Sequence, residues 1–393
     1  MLFLWGSGLP GLVGGGKELF NWHTRVAQEH GVTIHWSSPA TSLCQDPQTG
    51  RIKGVEVIRR GRRIRIGARG GVVLATGGFS ANPAMRAKYL GPGWDLAHVR
   101  GSKYNAGDGH RMASQVGAKL AGNYSGCHSV AWDAHSPADA GNRVLTNQYT
   151  KSGYPMGIMV NLNGDRFVDE GFDLRNFTYA VFGKEILKQP SGTAFQIWDS
   201  DSAKWLRKEE YADDVTVNIR ANSLEELADK LAERGLKSKA HFVHTIASFN
   251  EAVDHFKAEY PDKKFDPAAK DGLSTQSPRM SLPLAKSNWA LPIKKAPFTA
   301  VEVLTGITFT FGGLAIDPRT ANVISEATRE PIEGLYCTGE LLGGLFWDNY
   351  PGGSGLTMGT VFGRLAGRQA AKTAQAISNS AIVRDATLVP SGN

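Results

Sequence analysis

The sequence predicts an α/β protein whose two ends build one domain and whose middle is inserted as a second, α+β domain. Three observations carry this. Strand-like runs ending in Thr-Gly stand near both ends, at residues 73–78 and 336–340. Between them the texture changes after Cys127, first to loops and then to charged helical stretches such as SLEELADKLAERG. A strand-rich return, AVEVLTGITFTFGGLAI, then leads into a last helix expected from about 357 to 378. The expected boundaries are 1–125 and 301–382 for the end-built domain, 126–300 for the inserted cap, and 383–393 for a flexible tail.

The elements follow in order. Residues 17–30 carry a helical pattern that Gly31 ends, and VTIHW reads as a short strand behind it. In residues 51–70, Ile64 and Ile66 alternate with Arg63 and Arg65, the period of a half-buried strand, and Arg60-Gly61-Arg62 marks a turn. That hairpin holds eight basic residues and one acidic, so it accounts for the whole net charge of +7. It lacks interleaved aromatic residues to stack bases, which argues for a solvated arginine face rather than a nucleic-acid site. GGVVLATGGF reads as a buried strand entering a glycine turn. Gly107-Asp108-Gly109 precedes an amphipathic helix, and 157–175 reads as a strand, an Asn-Gly turn and a return carrying Arg166, Glu170 and Arg175.

Composition bounds the function. The chain has 393 residues, 41% apolar and 21% charged, and its apolar runs are broken well short of the roughly 20 residues that span a bilayer. The N-terminus has no basic region and its apolar part is cut by Gly and Pro, unlike a signal peptide. Three widely spaced cysteines fit a reducing cytoplasm better than a disulfide framework. No CxxC, HExxH or HxH spacing occurs, so no metal site is expected.

The densest signal is late. Glycines 343, 344, 352, 353 and 355 precede the last helical pattern. Bare backbone before a helix lets N–H groups approach an anionic or electron-rich ligand. Glu340 follows a strand, where an acid accepts hydrogen bonds from sugar-like hydroxyls. An ordinary glycine loop with a solvated Glu340 is the plainer alternative. Likewise, Arg166, Glu170 and Arg175 make either a surface hairpin with compensating ion pairs or an arginine pair and carboxylate that clamp a polycarboxylate.

Taken together, ATGGF, GDGHRMA, GCHSVAWD, VNLNGDRFVDE, GITFTFGG and TGE…NYPGGSGLTMGTVFGRLAG resemble, in order and spacing, the fumarate reductase/succinate dehydrogenase flavoprotein superfamily. Within it the chain is most similar to the tricarballylate dehydrogenase branch, near the flavin-dependent 3-ketosteroid dehydrogenases. The resemblance runs from about residue 14 to 371. It implies a truncated FAD-binding Rossmann-like domain with an α+β capping domain, and FAD as cofactor. It also implies hydride exchange at a C–C bond beside a carboxylate or ketone, a tricarballylate-like polycarboxylate being favoured. The electron acceptor it implies includes a membrane-associated iron–sulfur protein among its candidates. Ala75, Thr76, Gly77, Gly78, Gly107, Asp108, Gly339, Glu340, Gly353, Ser354, Gly355 and Leu356 would hold the FAD. His128, Arg166 and Thr308 would meet the substrate. Arg175 would donate the proton, with Glu170 in its relay and Tyr350 beside the reacting end.

The chain departs from that pattern in four places. One residue more separates Glu170 from Arg175 than in the fumarate reductases. Thr308 and Phe309 stand where those enzymes have a His, and Tyr350 replaces a carboxylate-binding Arg. Both replacements are similar to the tricarballylate and ketosteroid branches. Finally, the strand–GxGxxG–helix unit that grips the FAD pyrophosphate is expected to be missing, since residues 11–17 match a later GGGK segment. The alternative function is therefore a non-catalytic or partner-dependent member that does not hold FAD by itself.

Overall fold

One strand, Phe298–Thr310, organises the molecule. In the computed structural model, which describes residues 14–137 and 147–387, it is the centre of a six-stranded sheet. Antiparallel to it run Cys127–Asp133 on one edge and Ala194–Trp198 on the other, followed outward by Ile158–Asn161. The short strand His98–Val99 pairs with it in parallel at Gly306 and Ile307. Because Phe298–Thr310 crosses residue 300, the expected boundary falls inside a continuous strand.

The cap core forms where this sheet meets the helix Lys239–Glu259. Phe242, Ile246, Phe249, Val253 and Phe256 recur every three or four residues, lie on one face and are buried against Ile158, Phe195 and Ile197. Full burial of each such side chain stabilises the fold by about 1.5–3 kcal/mol. Ser238 caps the helix by accepting the His241 N–H at 3.2 Å. Asn250, in its middle, is buried and clamps an irregular segment: its amide donates to the Ile293 carbonyl at 2.8 Å and accepts the Ile293 N–H at 2.7 Å.

The end-built domain is knitted by the parallel pair Val72–Leu74 and Pro331–Cys337. Behind it Leu43, Ile52, Met112, Val323, Leu335 and Leu341 form a separate core. The final helix, Ser354–Thr387, covers this core with Phe362, Leu365 and Ala366. It outruns the helix end expected near 378 and the domain end expected at 382, so the tail expected from 383 is helical to Thr387, and 388–393 lie outside the described residues.

Several expectations change. The helix Gly15–Glu29 forms and stops before Gly31, whose φ is +76°, but VTIHW makes no ladder. The basic hairpin pairs Ile52–Arg59 with Arg62–Gly67 around Arg60 and Gly61, both left-handed. Its second strand is a solvated edge, however, so Ile64 is 39% exposed rather than half-buried in a core. Val73 is 37% exposed because Val72–Leu74 is likewise an edge strand. Contrary to the expected absence of the dinucleotide turn, Gly6, Gly8 and Gly11 satisfy the GxGxxG spacing, and they lie outside the described residues.

The Asn250 clamp yields a test. Asn250→Leu keeps the volume but leaves both backbone groups of Ile293 buried without partners, which should cost about 2–5 kcal/mol in urea unfolding. A loss under about 1 kcal/mol would show that the clamp is not what holds this segment.

Candidate flavin and substrate site

The two Thr-Gly turns lie side by side. Register pairs Leu335 with Val72 and Cys337 with Leu74, and the Thr338 N–H donates to the Leu74 carbonyl at 3.0 Å. Parallel strands thus deliver Thr76-Gly77-Gly78 and Thr338-Gly339-Glu340 to the same sheet end, where open α/β sheets bind ligands. The chain is drawn close here. A Cβ on Gly77 would collide with Asn105 Oδ1, and one on Gly78 with Thr310 Oγ1 and Glu340 Oε1. Gly77 also has φ +73°, where glycine is favoured.

Glu340 is the hub. Its Oε1 accepts the Thr310 N–H at 2.8 Å and the Thr310 hydroxyl at 3.2 Å, and Asn105 Nδ2 reaches both carboxylate oxygens at 3.0 and 3.1 Å. Burial outweighs these bonds and pushes its carboxyl up to about 7. Gly107 supports the turn from behind, donating its N–H to the Gly78 carbonyl at 2.9 Å. Asp108, by contrast, is turned aside to Arg111 at 3.4 Å in the first turn of its helix, so its carboxylate is not delivered to the turn.

The glycine-rich loop is fastened to the cap. Gly352 donates its N–H to the Asn176 carbonyl at 2.8 Å, Asn349 bonds the Phe177 carbonyl, and Lys184 pairs with Asp348 at 2.8 Å. Arg175, next to Asn176, lies over the Tyr179 ring at 5.8 Å. The Tyr350 hydroxyl accepts the Gly355 N–H at 2.9 Å, while Ser354 spends its hydroxyl on the Pro351 carbonyl at 2.6 Å. Leu356 points out, 64% exposed.

Around Tyr350 a polar pocket wall assembles. Its ring lies 4.9 Å from His128 and 5.1 Å from Phe309, and His128 lies 4.9 Å from Tyr179. The pairing of Phe298–Thr310 with Cys127–Asp133 slips between Ile307 and Phe309, so Thr308 is the bulged residue. A bulge re-aims side chains next to sites. Arg100 enters from His98–Val99, its backbone N–H held by the Ile307 carbonyl at 2.8 Å and its Nε donating to Thr150 at 3.2 Å. Burial lowers its pKa, and it lies within the fields of Arg175, Tyr179 and Tyr350. Burial, then Arg100, holds His128 well below the usual imidazole value, hence neutral. Burial also raises the phenols of Tyr179 and Tyr350.

Two assigned residues stand elsewhere. Glu170 and Arg166 form a buried ion pair at 2.5 Å, and Glu170 also accepts the Met159 N–H at 2.7 Å. Arg166 further donates to the Leu284 carbonyl at 2.9 Å and lies over the Phe249 ring. Both are consumed in holding the cap, which corrects Arg166 as a substrate ligand and Glu170 as the relay acid. Sequence reasoning also missed Arg100, Asn105, Thr310 and Tyr179. Only the alternation around 298–310 hinted at Thr310.

The geometry defines an α/β domain joined to a second, α+β unit, with a backbone cradle on one side and cationic and phenolic groups on the other. The chain belongs to the FAD binding domain family, which matches residues 6–356. It is similar to a probable fumarate reductase of Shewanella frigidimarina, 28% identical over 360 residues that cover 91% of this chain and 54% of the relative. Among solved structures it is similar to the open form of a flavocytochrome c3 fumarate reductase, with TM-score 0.68, 26% identity and coverage of 93% and 57%. It is also similar to 3-ketosteroid delta1-dehydrogenase from Sterolibacterium denitrificans, with TM-score 0.67, 26% identity and coverage of 89% and 62%. The chain thus spans about half to three-fifths of the length of these proteins.

Its cofactor is FAD, and the residues present fit it. The cradle at Gly77 and Gly78 has no room for side chains, the buried Thr76 hydroxyl has no partner among the described residues, and open space lies beside Gly339 and Gly344. Glu340 offers acceptor oxygens at the strand end.

The raised carboxyl of Glu340 gives a pH test. The folded state binds this proton more tightly than the unfolded chain does. Its contribution to stability is therefore complete below the usual value of 4.5 and is lost as pH rises through about 7. Without added FAD, the gap in melting temperature between pH 5 and pH 8 should shrink in Glu340→Gln. An unchanged gap would remove Glu340 as the group responsible.

Proposed function

We propose that this chain provides the flavin and substrate walls of an FAD-dependent oxidoreductase acting on a C–C bond beside a carboxylate or ketone. FAD, when bound, supplies hydride transfer. The observation that supports the reading is the Gly352–Asn176 hydrogen bond, which ties the glycine-rich loop carrying Tyr350 to the backbone of the residue after Arg175. Arg175 and Arg100 present two cations for carboxylate groups, and guanidinium forks suit them. That pair favours a small polycarboxylate, tricarballylate-like compounds included, while Tyr350 and Tyr179 suit a ketone oxygen equally. Fumarate and 3-ketosteroids, named for the relatives, share the activated C–C bond. Arg175 delivers or removes one proton at the carbon beside the activating group, and Tyr350 holds a substrate oxygen. Three free cysteines, well separated, support a cytoplasmic setting. An iron–sulfur or haem protein is the proposed class of electron partner.

One observation favours a second reading. The helix Gly15–Glu29 has no buried residue, so its side chains add little to the packing of this end of the described chain. We propose that the chain by itself holds FAD substoichiometrically and takes a partner for tight binding. Flavin absorbance after dialysis tests this: well under one equivalent is expected, and a full equivalent would refute it.

For the chemistry, Arg175→Lys and Tyr350→Phe should lower turnover of fumarate, tricarballylate or a 3-ketosteroid about 10²- to 10⁴-fold at unchanged flavin content. Arg166→Lys should instead act on stability, because removing one fork from a buried pair leaves Glu170 poorly compensated. Equal losses of turnover in the Arg166 and Arg175 variants, at equal stability, would reassign the donor.

A further inference from the structure

We infer that Glu210, not Glu170, is the carboxyl that feeds protons to Arg175, through one water held in a small cavity. A cavity of about 10 Å³ is lined by Thr150, Lys151, Ser152, Tyr154, Arg175 and Tyr179, with Val130 and Ala131 on its apolar side. That is about the room one water takes, and the polar residues of the wall offer it partners. Two buried atoms of those residues, Arg175 Nε and the Tyr154 hydroxyl, have no hydrogen-bond partner among the described residues. Buried polar groups are rarely left so, and a bridging water satisfies both.

On the far side the path is continuous. The Ser152 hydroxyl donates to Glu210 Oε2 at 2.5 Å and its N–H does so at 2.9 Å. Glu210 is buried, and its other oxygen meets Arg207 Nη1 at 3.0 Å. Arg207 is 42% exposed and so reaches solvent. The other charged and titratable groups facing Glu210 are Tyr211, Tyr154, Arg100 and Lys151, and Lys151 is neutralised by Asp133 at 3.1 Å.

The relay rests on the proposed C–C redox chemistry, whereas the water does not. When the substrate is saturated, Arg175 gives one proton to carbon and is left as a neutral guanidine. Glu210, a carboxylate in its pair with Arg207, first takes one proton from solvent there and passes it to the Ser152 hydroxyl, which gives its own proton to the water, and the water returns one to Arg175. One solvent proton is consumed per turnover, and the hydride with its two electrons comes from the reduced flavin. Desaturation runs the same steps backwards. Glu210 touches no reacting atom and is a positioning and relay residue.

Two measurements test this. A crystal structure of the full chain at about 1.5 Å or better should show one ordered water bonded to Arg175 Nε and the Tyr154 hydroxyl. A dry cavity there would overturn the inference. In the FAD-loaded protein reducing fumarate or another unsaturated carboxylate, Glu210→Gln and Ser152→Ala should lower kcat on the order of tenfold or more. KM and flavin content should hold, the solvent isotope effect on kcat should rise, and Glu210→Asp should recover most of the rate. Wild-type kcat and isotope effect in both variants would overturn the relay. A wild-type protein that turns over none of these substrates would sink the C–C redox reading and the relay with it, leaving the water to the density alone.

Discussion

The strand Phe298–Thr310 ends on Glu340, and the rest of the site depends on that contact. Upstream, the strand is the middle of the cap sheet. At its last residue, backbone N–H and hydroxyl both bond the acid that stands at the end of the other domain's sheet. A carboxylate that accepts several hydrogen bonds is fixed in position, and partial burial makes losing any of them costly. The cap therefore cannot shift relative to the flavin wall at this point without leaving buried polar groups unpaired. Gly78 is the steric counterpart, since any side chain there would displace both partners.

A second tie sits on the opposite side. The loop before the final helix is bonded to Asn176, Phe177 and Lys184 of the cap. Between the two ties lie the bulge at Thr308, the neutral His128, the phenols and the two arginines. Their convergence follows from topology. His98–Val99 and Cys127–Asp133 both pair with the same few residues of the long strand, 303–310, so Arg100 and His128 arrive together. The bulge then turns Thr308 out of the ladder beside Gly101.

Much of the cradle was legible because it is local. Thr-Gly at two strand ends, glycines before a helix and an acid after a strand are each short-range signals, and the parallel register sets them side by side. The substrate wall was less legible. Arg100 sits in AHVRGSKYN, which matches no motif, and it matters only because a two-residue strand pairs with one far away in sequence. Asn105 is an ordinary loop amide until Glu340 comes within 3.1 Å of it. Arg166 and Glu170 misled for the opposite reason: arginine and carboxylate four residues apart look like a clamp and relay, yet they satisfy each other. VTIHW had strand propensity and no partner, and a strand without a ladder is not formed by propensity alone.

The separation of duties between the two walls has a physical reason. The cradle is built of close-packed backbone at Gly77 and Gly78 and of one acid, Glu340, held by Thr310 and Asn105, and such contacts tolerate little motion. Proton-transfer groups need a route to solvent, and in the inferred relay Ser152, Glu210 and Arg207 of the inserted region supply it. Burial, and then the neighbouring charge of Arg175, disfavours the charged form of Arg100, while Tyr179, Glu210 and Tyr350 offset part of that cost. A substrate carboxylate entering between the two guanidinium groups would quench their repulsion on binding.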